Sequence, residues 1–181
     1  NASIFSKSPD FRIENPHIIA IMVEFQEEIP NDPLTSGNGN FLDESFDISM
    51  IWNNSTNQRC DNYLVDRPPH DSLYFSFQLE ALKNYYIKAS SLNINISSHI
   101  VMNNNEKGYY KLSKPMRDYS YSDNDLALLF KESLELAEDD ILEYIDTNSH
   151  ININDMIFTI FHAGIGQDFS FSTFDPSIYD I

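Results

Sequence analysis

Apolar positions along the chain fall into a few runs separated by polar, Asn-rich stretches. Residues 17–25, HIIAIMVEF, are apolar almost throughout and rich in β-branched side chains. That is the pattern of a central strand buried on both faces. The following EEIPNDPLTSGNGNF is dense in Pro, Asn, Asp and Gly and reads as a long surface loop. Residues 41–70 are weakly patterned; Trp52 is read there as a packing anchor, and Arg67-Pro68-Pro69-His70 leads into a helix.

In that helix Asp71 or Ser72 is placed to cap, with Tyr74, Phe77, Ala81 and Tyr85 on one stripe and Phe75, Leu79, Leu82 and Tyr86 beside it. So many aromatic rings on adjacent stripes predict burial against a sheet. Residues 92–102 alternate apolar and polar from Leu92 to Ile96, which predicts a strand with one solvated face. Asn103–Lys107 with Gly108 predicts a turn, after which YYKLSKPM is expected to pair back as a short strand.

A second helix is predicted from Ser122 or Asp123, with Leu126, Leu129, Phe130, Leu134, Ala137, Ile141, Tyr144 and Ile145 at helical spacing. Its acids Glu132, Glu135, Glu138, Asp139 and Asp140 fall mostly on the other face, which reads as solvated. After the turn Asn148-Ser149-His150 comes a last apolar strand over 156–161. The order strand, loop, helix, strand, hairpin, helix, strand predicts an α/β domain: a mixed, twisted sheet with two main packed helices.

Composition narrows what such a domain does. The 181 residues carry 28 acidic and 11 basic side chains, for a formal net charge of −17. That field repels phosphate backbones and anionic lipid, so nucleic-acid binding is not expected. Ile18–Phe25 is too short to span a bilayer, so no membrane insertion is expected. The single cysteine, Cys60, leaves no intrachain disulfide and no cysteine-rich zinc site. The chain starts at Asn1-Ala2-Ser3 without Met and stops at Ser177–Ile181 without a helix cap, which reads as a fragment with any targeting segment removed.

The last strand runs into His162-Ala163-Gly164-Ile165-Gly166-Gln167-Asp168, where an imidazole, an amide and a carboxylate share a glycine turn. A dinucleotide loop is rejected: the third glycine of G-x-G-x-x-G would fall at Phe169, no helix pattern follows, and Asp168 would repel a pyrophosphate. No G-x-S-x-G elbow accompanies His162. Among His17, His70, His99, His150 and His162 no H-x-x-x-H or H-E-x-x-H occurs, so no helix presents two imidazoles to zinc. Calcium is left open by Asp168, Asp175 and Asp180 near the end and by Asp32, Asp43, Glu44 and Asp47 around the Asn-Gly loop, although EF-hand spacing is missing. From residue chemistry alone, both glycines give backbone freedom to a tight turn and His162 bonds locally.

An ordered series of segments adds a resemblance. VEF (Val23–Phe25), SGNGNF (Ser36–Phe41), PPHDSLYF (Pro68–Phe75), residues 84–101, GYYKLSKPMRDYS (Gly108–Ser120), the long helix and FHAGIGQD (Phe161–Asp168) follow one another in that order. The series resembles the N-terminal part of the catalytic domain of secreted zinc metalloproteases of the immune inhibitor A family, which are zincin-like. There, a strand ending in a similar H-A-G-x-G-x-[DE] turn precedes the zinc helix. The resemblance implies that residues 17–181 form one incomplete lobe behind an N-terminal extension, 1–16, truncated before the H-E-x-x-H motif. It further implies a secreted peptidase acting on peptide or protein substrates, with zinc in the intact parent only. No catalytic residue and no zinc ligand is assigned in this chain, and the lobe itself is expected to be inactive. His162, Ala163, Gly164, Gly166, Gln167 and Asp168 are expected to border the substrate cleft. Self-association is expected through the face that a missing lobe would leave.

Overall fold

In the computed structural model, residues 15–27, 38–42, 69–90 and 94–164 are described. They form strand β1 (His17–Glu24), helix α1 (Ser72–Ala89), strands β2 (Ser97–Val101) and β3 (Tyr110–Lys111), helices α2 (Asp123–Leu136) and α3 (Glu138–Thr147), and strand β4 (Met156–His162). Short 3₁₀ turns cover Met116–Tyr119 and Ile153–Asp155. The class is α/β, as the element order predicts.

β1 is the spine. β4 pairs with it along His17–Val23, while β2 takes the other edge at His17–Ile21 and β3 follows on that edge at Val23–Glu24. All three pairings run parallel. The hairpin expected after Gly108 is therefore replaced: β2 and β3 form one interrupted strand line, and residues 102–109 loop out between them. The excursion closes where the Asn103 N–H donates to the Gly108 carbonyl at 3.1 Å. Gly108 turns the chain at φ +75°, and a Cβ there would meet the Met102 side chain at 2.7 Å. This turn delivers Tyr110 beside Val23 instead of sending it back along β2.

Because side chains alternate across a strand, β1 presents two core faces. Ile18 and Ala20 cluster with Leu79 of α1 and with Ile96. Ile19, Ile21 and Val23 belong to a larger cluster with Leu129 of α2, Ala137 and Ile141 of α3. Helices thus cover both faces, and every residue of β1 up to Val23 is buried.

Three details depart from the sequence reading. On α1, Phe75 and Leu79 are buried, whereas Phe77 and Tyr85 of the expected stripe are both 64% exposed. Rings occupy nearly every side of this helix, so periodicity does not single out the inward face. Second, the long helix is two helices. Ala137 breaks it at φ −98°, ψ 2°, directly before Glu138, Asp139 and Asp140. Three acids suit the N-terminus of a new helix and not the middle of an old one. The buried Ser133 hydroxyl also donates to the Leu129 carbonyl at 2.7 Å, a back-bond that bends helices. Third, two of the acids read as solvated are used inside. Glu132 accepts from the Tyr119 hydroxyl at 2.6 Å and the Ser113 N–H at 2.6 Å, and Asp140 accepts from the Tyr110 hydroxyl at 2.7 Å.

The caps follow expectation: the Asp71 carboxylate accepts the Tyr74 N–H, and the Ser122 hydroxyl accepts the Asp125 N–H. Trp52 and Cys60 lie outside the described residues.

Candidate functional site

Parallel pairing brings the carboxyl ends of β1, β3 and β4 to one rim. The chain leaves β1 toward β2 on one edge and later comes back as β4 on the other. Connections therefore diverge between β1 and β4, and in open α/β sheets the crevice beyond the strand ends at such a point is where ligands bind. The turn His162-Ala163-Gly164 stands there, opposite Val23, Glu24 and Phe25.

Each side chain on this rim has an assignable role. Ala163 is buried, and its N–H donates to the Val23 carbonyl at 3.1 Å, adding a last rung beyond β4. Gly164 then turns the chain at φ +91°, in the left-handed region that favours glycine. The His162 Nδ1 lies 3.0 Å from the Ala163 carbonyl oxygen. A carbonyl only accepts, so Nδ1 is the donor of this bond. The same ring meets Phe25 edge to face at 6.1 Å. The local His162 hydrogen bond and the turn at Gly164 read from the residue types are found, while Gly166 lies outside the described residues.

Across the rim, Glu24 is half-buried and occupied. Its Oε1 accepts the Phe41 N–H at 3.0 Å and its Oε2 lies 3.6 Å from Lys111 Nζ, which also donates to Asn40 Oδ1. The Phe25 N–H donates to the Gly39 carbonyl at 2.8 Å, and Gln26 Nε2 to the Leu112 carbonyl at 2.6 Å. Glu24 thereby clamps the turn at residues 38–42 against the sheet. The arrangement supplies one imidazole whose Nδ1 is spent on a backbone carbonyl, with no adjacent nucleophile or second acid among these contacts. It suits shaping and backbone pairing better than proton transfer.

Of the six residues expected at the cleft border, His162, Ala163 and Gly164 are placed together on this rim; Gly166, Gln167 and Asp168 lie outside the described residues. The acids considered for calcium lie outside them as well. Among the described residues, no group of three or more His, Cys, Asp or Glu side chains is arranged to hold a metal ion. No described helix is long and apolar enough to cross a membrane.

A second polar cluster sits at the opposite rim. His17, at the start of β1, is 4% exposed and pairs in register with Ser97. Its Nδ1 is 2.6 Å from Ser97 Oγ, and its Nε2 is 3.1 Å from the Tyr144 hydroxyl of α3. The His99 ring lies flat on the Tyr144 ring at 3.8 Å. The sequence carried a faint signal of this: His17 and His99 are polar residues inside strand patterns. Their convergence on a helix residue more than forty positions later was not readable from spacing.

No family model matches the chain, and neither the curated proteins nor the solved structures yield a match to it.

Proposed function

We propose that this chain forms the N-terminal lobe of a secreted zinc-dependent metallopeptidase, with no peptidase activity of its own. The observation that carries this reading is the His162-Ala163-Gly164 turn at the carboxyl rim of the sheet. It closes a strand whose outer edge pairs with no other described residue. That is where the resemblance to the immune inhibitor A family expects the strand that precedes the zinc helix. The 181 residues contain no H-E-x-x-H, so the proposal places the zinc ligands on a segment outside them. In the intact enzyme zinc would supply an activated water for attack on a peptide carbonyl. The part assigned to this lobe is to receive extended peptide along a sheet edge by strand addition, with His162 and Gly164 shaping the end of the track. Secretion rests on the resemblance alone.

A second reading keeps the scaffold and drops the chemistry. Glu24 and His162 both spend hydrogen-bonding capacity on backbone groups of the fold. This favours a non-catalytic extracellular binding module that uses the same outer edge of β4. The experiment that separates the two is sequencing and expressing the reading frame beyond Ile181. An H-E-x-x-H within the next few dozen residues, with chelator-sensitive hydrolysis of a protein substrate, is the outcome expected of a peptidase. A complete product without that motif would end the peptidase reading and leave the binding module.

A further inference from the structure

His17 bridges three elements with one imidazole: β1, which carries it, β2 through Ser97, and α3 through Tyr144. His99, also on β2, completes the contact by stacking on Tyr144, and the Tyr144 and His17 rings are near parallel, 9° apart. α3 is a separate helix, broken from α2 at Ala137. Near that break it is anchored by buried Ile141 and by the Tyr110–Asp140 hydrogen bond. Its last turn is held by Ile145, partly buried against the main core, and by the two imidazoles gripping Tyr144. We propose that this clasp makes docking of the last turn of α3 pH-gated: neutral His17 and His99 hold Tyr144 against the sheet, and their protonation releases it while α2 stays in place.

The groups around the clasp give the direction. From β1 and β2 come His17, Ser97 and His99; from α3 comes Tyr144; from the turn after α3 comes His150. β4 contributes Met156 at the register of His17, an uncharged neighbour. α1 packs on Ile18 and Ala20, which alternate to the other face of β1. Glu143 and Asp146 of α3 are exposed. Burial first, and then the charge of His150, holds His17 below the ordinary histidine value of 6.5. Burial first, and then His17, does the same for His99. The undocked state thus takes up protons at higher pH than the docked one. Docking is complete above about pH 6.5 and weakens as pH falls below it.

The test is amide hydrogen exchange of the 181-residue chain at pH 7.5 and pH 5.5, corrected for intrinsic rates. Protection at residues 144–148 is expected to fall roughly threefold or more relative to residues 126–136. In His99→Phe, which keeps a ring on Tyr144 but cannot protonate, that fall should shrink; His17→Gln provides a second variant. Equal losses in α2 and α3, or a response that neither variant reduces, would overturn the proposal.

Discussion

β1 and β4 are nearly interchangeable as text, HIIAIMVE against MIFTIFH, and they lie side by side in register for seven residues. Yet β1 is buried from His17 to Val23, while Ile157 and Phe158 of β4 are each 38% exposed. The difference is one of neighbours. β1 has strands on both edges and helices on both faces, and β4 has one described strand beside it. An apolar run specifies a strand; its number of neighbours is a property of topology.

The comparison is most directly broken by removing side chains. Ile21→Ala in β1 should destabilise the chain by about 3–4 kcal/mol, because Ile21 is fully buried and its cavity cannot fill from solvent. Phe158→Ala in β4 removes a larger side chain but should cost only about 1–2 kcal/mol, since the site is already partly hydrated. Urea unfolding of both variants checks this. Equal costs would mean that β4 is as enclosed as β1.

The two strands also end differently. Gly39, which receives the Phe25 N–H at the end of β1, sits at φ +86°, and a Cβ there would stand 2.8 Å from the Gln26 carbonyl oxygen. Backbone cannot yield cheaply, so Gly39→Ala should cost about 2–3 kcal/mol, combining strain with the clash. Gly164→Ala after β4 meets the left-handed penalty at φ +91° and should cost about 1–2 kcal/mol. Thermal melts that reversed this order would show the β4 turn to be the tighter one.

How much of this was legible follows from the same contrast. β1 could be read because six apolar residues in a row, Ile18–Val23, leave no solvated face. That β4 has only one described strand beside it could not, since its composition matches that of a central strand. The inward face of α1 was obscured by Phe75, Phe77, Tyr85 and Tyr86, which put rings on several sides at once. The break at Ala137 had a signal in Glu138-Asp139-Asp140, masked by apolar spacing that runs on through Ile145. The glycine turn after β4 was readable from residue type, because Gly164 and a local His162 bond need no distant partner. The His17–Tyr144–His99 clasp needs three distant segments, and spacing alone carries no such information.

A smaller effect is expected where a helix braces the end of β1. The fully buried Tyr119 packs on Phe25 at 5.8 Å and donates its hydroxyl to Glu132. Burial acts first to push the Tyr119 hydroxyl up to about 12, and the bond to Glu132 adds to it. On Glu132 burial works upward, but the bonds from Tyr119 and Ser113 prevail and hold its carboxyl below the ordinary 4.5. Tyr119→Phe should cost about 1.5 kcal/mol at pH 7, as expected for a hydrogen bond to a charged group. A depressed carboxyl contributes stability above its unfolded value and loses it as pH falls through the folded one. The cost of Tyr119→Phe should therefore shrink below pH 4.5, read as converging unfolding midpoints of variant and parent.

The smallest effect should come from the partly exposed ion pair at the same end. Lys111 Nζ sits 3.6 Å from Glu24, with the lysine side chain 40% exposed and the glutamate 12%. A half-solvated ion pair contributes little, because the lysine gives up side-chain freedom and salt screens the attraction. Lys111→Met should cost no more than about 0.5 kcal/mol, and less at high ionic strength. Glu24 would still accept the Phe41 N–H, so the turn at residues 38–42 should stay in place. If the variant instead lost more than Tyr119→Phe does, the lysine would be holding the turn itself. The rim opposite His162 would then rest on charge, while β4 closes its side with the Ala163 backbone rung and a glycine.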